Sequence, residues 1–209
     1  MTYHPILING CPESVAQFVE KHLDNRWLSE IHSLLRLPIP DAGIANGCWV
    51  VAAHALMGVI AGTSTTLYRP GSTKVKSAFQ GLLVDFYPWD EEPDGPLPIV
   101  EKRTRAQLVY ERFRNPLTHN LYVELSPDTP ATRKLKRMQD GDRGPGENWV
   151  EQLEQQTRPQ EMSAAVSVHT DRVVLYVDSL YWGIRRMISK LLYNHARMTD
   201  AQRWLNRQG

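Results

Sequence analysis

The sequence predicts an all-α protein, a bundle of four to five helices carrying one long polar insertion. Three observations lead there: apolar residues recur three and four positions apart, proline- or glycine-dense breaks separate these stretches, and no convincing run of strands is present. A chain of 209 residues, 42% hydrophobic and 22% charged, is long enough for one sizeable core. One domain over residues 1–209 is expected, with a mobile insertion at about 126–165.

The first helical pattern runs from Ser14 to Leu37, with Val15, Phe18, Val19, Leu23, Trp27, Ile31, Leu34 and Leu35 on one face. Ser14 and Gln17 offer a capping box at its start, and Pro38-Ile39-Pro40 stops it. A second helix begins near Asp41 to Ile44 and continues through Trp49, Ala52, Ala53, Leu56 and Ile60, apolar on nearly all sides, as a central helix is. Gly62-Thr63-Ser64-Thr65-Thr66 weakens its far end. A third, opened by Ser72, puts Val75, Phe79, Leu82, Leu83 and Phe86 on one side and closes at Pro88. The stretch from Pro88 to Pro98 reads as a loop, and a fourth helical pattern follows from about Lys102 to Leu125, interrupted by Pro116. From Ser126 to Gln160 the chain turns polar, with a short helix expected near Trp149 to Gln156. Val166-Ser167-Val168 reads as a brief extended segment. Thr170 or Asp171 then caps a final helix bearing Val173, Val177, Leu180, Ile184, Met187 and Leu191, with Val174, Tyr181, Ile188 and Leu192 widening its buried face.

A formal net charge of +1 supplies no bulk attraction to nucleic acid or membrane, so any RNA binding must come from a local basic patch. Cys11 and Cys48 are too few for a disulfide framework. The apolar stretch from Cys48 to Gly62 is shorter than the roughly 20 residues that span a bilayer. The start of the chain lacks the pattern of a secretory signal. A cytoplasmic protein with no membrane partner is the expectation.

The segment with the most chemistry in it is Tyr110-Glu111-Arg112-Phe113-Arg114-Asn115-Pro116-Leu117-Thr118-His119-Asn120. Asn-Pro is a helix-start pair, yet helical periodicity already exists upstream, so the chain must break or kink there. In an unbroken helix Pro116 would forfeit a hydrogen bond and clash with the preceding turn, at a cost of about 3 kcal/mol. Asn115 and His119 lie one turn apart, with Tyr122 and Ser126 continuing that row, while Val109, Phe113, Leu117 and Leu121 form a separate apolar stripe. Arg114 reaches the same rim. An arginine beside a histidine, whose ordinary pKa is roughly 6.5, suits metal-free RNA cleavage. The histidine removes the proton of the ribose 2′-hydroxyl, and the arginine stabilises the charge developing on phosphate.

Arg114, the polar Asn115 and His119 after four intervening positions, on a helix of a small all-α domain, resemble the HEPN superfamily. The resemblance covers the motif closely and the helical layout loosely; the polar insertion has no counterpart in it. It implies a dimeric, metal-independent endoribonuclease of toxin-antitoxin, antiphage or RNA-processing systems, with Arg114 and His119 of both chains facing a shared cleft. In one subgroup a tyrosine two residues after the histidine is modified by a nucleotidyltransferase. Here Leu121 stands there and Tyr122 one place later, so that regulation is not carried over, although a cognate antitoxin or nucleotidyltransferase stays among the expected partners. Arg112 and Tyr122 flank the motif as RNA contacts, and Arg133, Lys134, Lys136 and Arg137 form a basic run in the insertion that can follow a phosphate backbone.

Other candidates carry less. Gly71-Ser72-Thr73-Lys74 lacks the ending of a phosphate loop and a strand before it, which favours a capped helix start. His22, His32, His54, His169 and His195 show no metal-ligand spacing, so neither metal nor cofactor is expected. Trp149, Trp182 and Trp204 read as packing groups. The rival class is a non-catalytic helical scaffold or RNA- or nucleotide-binding protein of the same fold, with Arg114 and His119 in a dimer contact or on a nucleotide.

Overall fold

The computed structural model describes residues 5–6, 8, 10–36, 47–91, 96–120, 165–168 and 173–208, with the backbone alone at 47–49, 118–120, 167–168 and 174. The predicted helix near Trp149, the row from Leu121 onward and the basic run at 133–137 lie outside the described residues. Within them the chain is largely helical, with one short hairpin.

Helix α1 is a continuous run of Glu13–Phe18, Val19–Leu28 and Ser29–Arg36. Its middle segment is wound more widely, with hydrogen bonds reaching five residues back, as from the Ser29 N–H to the Asp24 carbonyl. A wide turn takes up an extra residue, which shifts the inward face relative to ordinary 3.6-residue winding. Val15, Val19, Leu23, Leu28 and Ile31 are therefore buried, and Trp27, expected inside, is 46% exposed. The anticipated capping box is absent. The helix starts at Glu13 behind Pro12, Gln17 bonds Glu13 at 3.0 Å, and the Ser14 hydroxyl is buried without a partner.

Helix α2 comprises Gly47–Thr63 and a wide extension, Ser64–Tyr68, so the small and β-branched residues after Gly62 loosen the helix without ending it. The Ser64 and Thr65 hydroxyls bond back to the Ala61 carbonyl at 2.7 and 3.1 Å, occupying the acceptor that tight winding would use. Ala52, Leu56, Met57, Val59 and Ile60 are buried, and α2 packs against α1 and the later helices as the centre of the molecule. The Val50–Tyr68 stretch is apolar and long enough to cross a membrane, but half of it is buried inside the protein, as in a core helix.

Helix α3, Val75–Phe86, buries Phe79, Leu82 and Leu83. It begins three residues after the predicted Ser72, whose hydroxyl accepts the Lys74 N–H at 3.2 Å as a turn residue. In the expected loop after Pro88, Trp89–Glu91 makes a single tight turn, with the Trp89 indole buried and donating to the Leu83 carbonyl at 2.8 Å. Helix α4 starts at Ile99, earlier than predicted, because Pro98 in extended conformation leads directly into it. It runs through Ile99–Leu108, Val109–Arg114 and Asn115–Asn120.

Strands β1, Val166–Val168, and β2, Val173–Leu175, pair antiparallel with Val166 opposite Leu175. The first was read correctly as extended. The second corrects the reading of Val173 and Val174 as helix: three consecutive β-branched or branched residues pair with β1 before the helix begins. Helix α5, Val177–Leu192, then buries both predicted stripes, from Leu180 and Ile184 to Ile188 and Leu192. A helix that the periodicity did not separate, α6, His195–Leu205, follows, capped by the Asn194 side chain accepting the Arg197 N–H at 3.1 Å. It docks on the wide end of α2 through Arg197, which bonds the Tyr68 carbonyl at 3.2 Å and stacks 4.6 Å from its ring. Gly71, at φ 71°, faces the Trp204 indole so closely that a Cβ there would sit 2.9 Å from Nε1.

Candidate functional site

At Pro116, where a break or kink is expected, the helix continues with a change of winding. The six residues before Asn115 are widely wound, and the Asn115 N–H donates to the Tyr110 carbonyl five residues back. Ordinary α-helical winding resumes at Asn115, and Pro116 falls just past the change of winding, where its missing N–H costs less than inside a regular helix. The wide turn thus absorbs the proline that an unbroken helix would reject.

Arg114 stands at this junction, half-buried. Its Nη1 donates to Asn115 Oδ1 at 3.2 Å, and its guanidinium lies 5.2 Å from the centre of the Tyr110 ring. Tyr110 is buried, set edge-on to Phe79 at 5.2 Å, with the Lys76 ammonium 5.8 Å from its ring. Two cation–ring contacts bear on the tyrosine, and the tyrosine in turn helps to hold the arginine. Lys76 also pairs with Glu111 at 2.9 Å, and Gln107 donates to both Glu111 oxygens at 3.2 Å. The Lys76 hydrogen bond, with help from Gln107, holds the Glu111 carboxyl below its ordinary range, and Glu111 in turn raises the Lys76 ammonium. Both groups are charged at neutral pH.

Of the predicted site residues, Arg114 and Asn115 are joined by this hydrogen bond, and Arg112 is exposed beside them. His119 lies on the same α-helical segment as Asn115, four residues on, with its backbone alone described. Tyr122, Arg133, Lys134, Lys136 and Arg137 lie outside the described residues.

An open groove of about 590 Å³ adjoins the motif, lined by Thr73, Lys74, Val75, Lys76, Ser77, Gln80 and Tyr110. Its lining joins the start of α3 to Tyr110, the residue whose ring carries Arg114. Arg69 reaches its edge, donating to Ser77 Oγ at 3.0 Å. Among the described residues no group of three histidine, cysteine or acidic side chains is placed to hold a metal. Burial pushes the Cys11 thiol above its ordinary pKa, away from nucleophilic use.

A second polar cluster went unread in the sequence. Buried Asp24, on the wide segment of α1, accepts the Ile6 N–H at 2.7 Å and faces Arg185 of α5 at 3.4 Å. Arg185 also contacts the Tyr181 hydroxyl at 3.3 Å, and that hydroxyl donates to the Leu28 carbonyl at 3.2 Å. His32 stacks near Tyr181 and Trp182, and burial, with Arg185 adding to it, lowers its pKa. The available signal was Arg185 itself, one turn from Tyr181 on a buried stripe, where a cation needs a carboxylate. The cluster ties α1 to α5 in the interior.

Compared with protein-family models, with curated proteins and with solved structures, the chain matches none.

Proposed function

We propose that this protein is a HEPN-type, metal-independent endoribonuclease that works as a two-fold dimer, with a defence or toxin role. The observation that carries the reading is Arg114 held by Asn115 and Tyr110 at a helix junction made by Pro116, with His119 one α-helical turn beyond Asn115. A cation fixed against a ring and an amide needs little reorganisation to meet a phosphate, which is where such a group contributes most to catalysis.

In the proposed reaction His119 takes the proton from the ribose 2′-hydroxyl and the 2′-oxygen forms a bond to phosphorus. The bond from phosphorus to the 5′-oxygen breaks. Arg114 stabilises the non-bridging oxygens, and the symmetry-related histidine protonates the departing 5′-oxygen, leaving a 2′,3′-cyclic phosphate. Purified protein incubated with labelled RNA in EDTA tests this directly. Cleavage is expected, with His119→Ala and Arg114→Ala each slower by on the order of 100-fold or more. Parental rates in both variants would show that the site is elsewhere.

A further inference from the structure

We propose that the groove at the start of α3 is a binding site for single-stranded RNA, seating its phosphate backbone on Lys74 and Lys76 beside Arg114. The inference rests on the ribonuclease reading for its ligand, while its geometry is independent of His119.

Four observations point the same way. The groove's volume of about 590 Å³ lies in the range of small-ligand clefts, enough for a nucleotide-sized portion of a strand. Its lining pairs two exposed ammonium groups, Lys74 and Lys76, with the side chains of Thr73, Ser77 and Gln80, which both donate and accept hydrogen bonds. That combination matches a phosphate next to ribose hydroxyls and base edges. Tyr110 is common to the groove and to Arg114, so a phosphate seated in the groove lies on the residue that also holds the proposed catalytic arginine. Around the groove the cations Arg69, Lys74, Lys76, Arg112 and Arg114 outnumber the carboxylates of Glu111 and of Asp85, which accepts from the Tyr68 hydroxyl beside Arg69, and this is local basicity in a chain of net charge only +1.

Glu111 gives the proposal a test that misfolding cannot imitate. Its carboxylate occupies Lys76 in the free protein, so Glu111→Gln releases that ammonium for phosphate and should tighten binding by about threefold while steepening the salt dependence. Lys74→Gln should weaken binding by roughly 5- to 10-fold and lower the slope of log affinity against log salt by about 0.7, one single-strand phosphate contact. The control is Asp90→Asn, which removes the acid of another lysine pair, with Lys102, beyond the opposite end of the 12-residue α3. It should leave affinity unaltered.

The measurement is fluorescence anisotropy of a short single-stranded oligoribonucleotide with 2′-fluoro sugars, which cannot be cleaved through the 2′-oxygen, titrated with the full chain at several salt concentrations. Equal affinities and slopes in parent, Glu111→Gln and Lys74→Gln would overturn the groove assignment, as would displacement of the RNA by a polyglutamate peptide at equal concentration of charge, or a parent that does not bind the RNA. If the parent binds through the groove yet leaves ordinary RNA intact, the ribonuclease reading falls and the groove stands. If it cleaves RNA through Arg114 and His119 while the groove variants bind normally, the groove falls alone.

Discussion

At Asp178 two preferences of a carboxylate oppose one another. It sits in the first turn of α5, where a helix's unpaired N–H groups favour a negative charge by about 0.3–1 kcal/mol. It is also 1% exposed, with Oδ2 lacking a hydrogen-bond partner, and burial raises its pKa from 3.8 to about 7. Burial wins. The folded chain then holds a proton that the unfolded chain has released, so its relative stability falls as pH rises from about 4 to about 7 and levels off above that. The contribution is on the order of 4 kcal/mol from the size of the shift. Asp178→Asn keeps the shape and removes the titration. Urea unfolding at pH 5 and pH 8 should show the variant gaining on the parent at the higher pH, and the same difference at both would refute the assignment. Gly183 is a steric counterpart on the same helix, since a Cβ there would run into the Tyr87 ring. Tyr87 is itself buried against Trp89, with ring centres 4.3 Å apart, so it has little room to yield. Gly183→Ala should gain roughly 1 kcal/mol of helix propensity and lose more than that to overpacking, lowering the melting temperature.

The helices were legible where their winding is ordinary and misread where it is not. The stripes of α3 and α5 follow from 3.6-residue spacing, and their predicted members are buried or half-buried along Val75–Phe86 and Val177–Leu192. In α1 the same rule put Trp27 inside in place of Leu28, because periodicity carries no sign of a wide segment until hydrogen bonding is known. The hairpin was half-seen for a related reason: three-residue strands are too short for alternation to declare itself. Where residues did announce an irregularity, as Gly62 to Thr66 did at the wide end of α2, the local sequence named its place, and α4 is the sharper case. Pro116 demanded a break, and the wide turn from Val109 to Arg114 answers it. Pro116→Ala restores a donor and removes that demand; because the wide turn already accommodates the proline, the helix should gain only modestly, by about 1 kcal/mol or less. The rewound turn would also swing Arg114 away from Asn115. On the ribonuclease reading, a higher melting temperature with slower RNA cleavage is expected, and a variant as fast as the parent would separate the wide turn from function. The link between α1 and α5 gives a purely structural prediction. Asp24→Ala takes the carboxylate from buried Arg185 and the acceptor from the Ile6 N–H, and should destabilise by about 3–5 kcal/mol in chemical denaturation. A loss under 1 kcal/mol, roughly that of an exposed pair, would mean that the cation is served by other contacts.

For the molecule as a whole, the apolar pattern revealed a helical core centred on α2, because burial acts on every residue of a stripe at once. The candidate site was legible only as a motif, Arg114, Asn115 and His119, while the partners of Arg114 across helices are not encoded locally. Nothing in the spacing of Lys76 and Tyr110, 34 positions apart, brings them into one groove; packing of α3 on α4 does. The same limit applies between chains, and there the ribonuclease reading makes its strongest demand. One Arg–His pair provides a base and a cation, but the leaving 5′-oxygen also needs an acid. Glu111, the nearest carboxylate in the described stretch of α4, lies two turns before His119 and is engaged by Lys76 and Gln107. A depressed carboxyl is a poor proton donor at neutral pH. A second copy across a two-fold axis supplies the missing histidine with no further sequence requirement. Mixing parental chains with His119→Ala chains tests this, since a heterodimer keeps both arginines but only one histidine, a base without the acid. A composite cleft predicts that activity at fixed total protein falls as the square of the parental fraction, because only parental homodimers carry both histidines. Activity that falls in simple proportion to the parental fraction, from a protein that sediments as a monomer and still cleaves RNA, would confine the chemistry to a single chain.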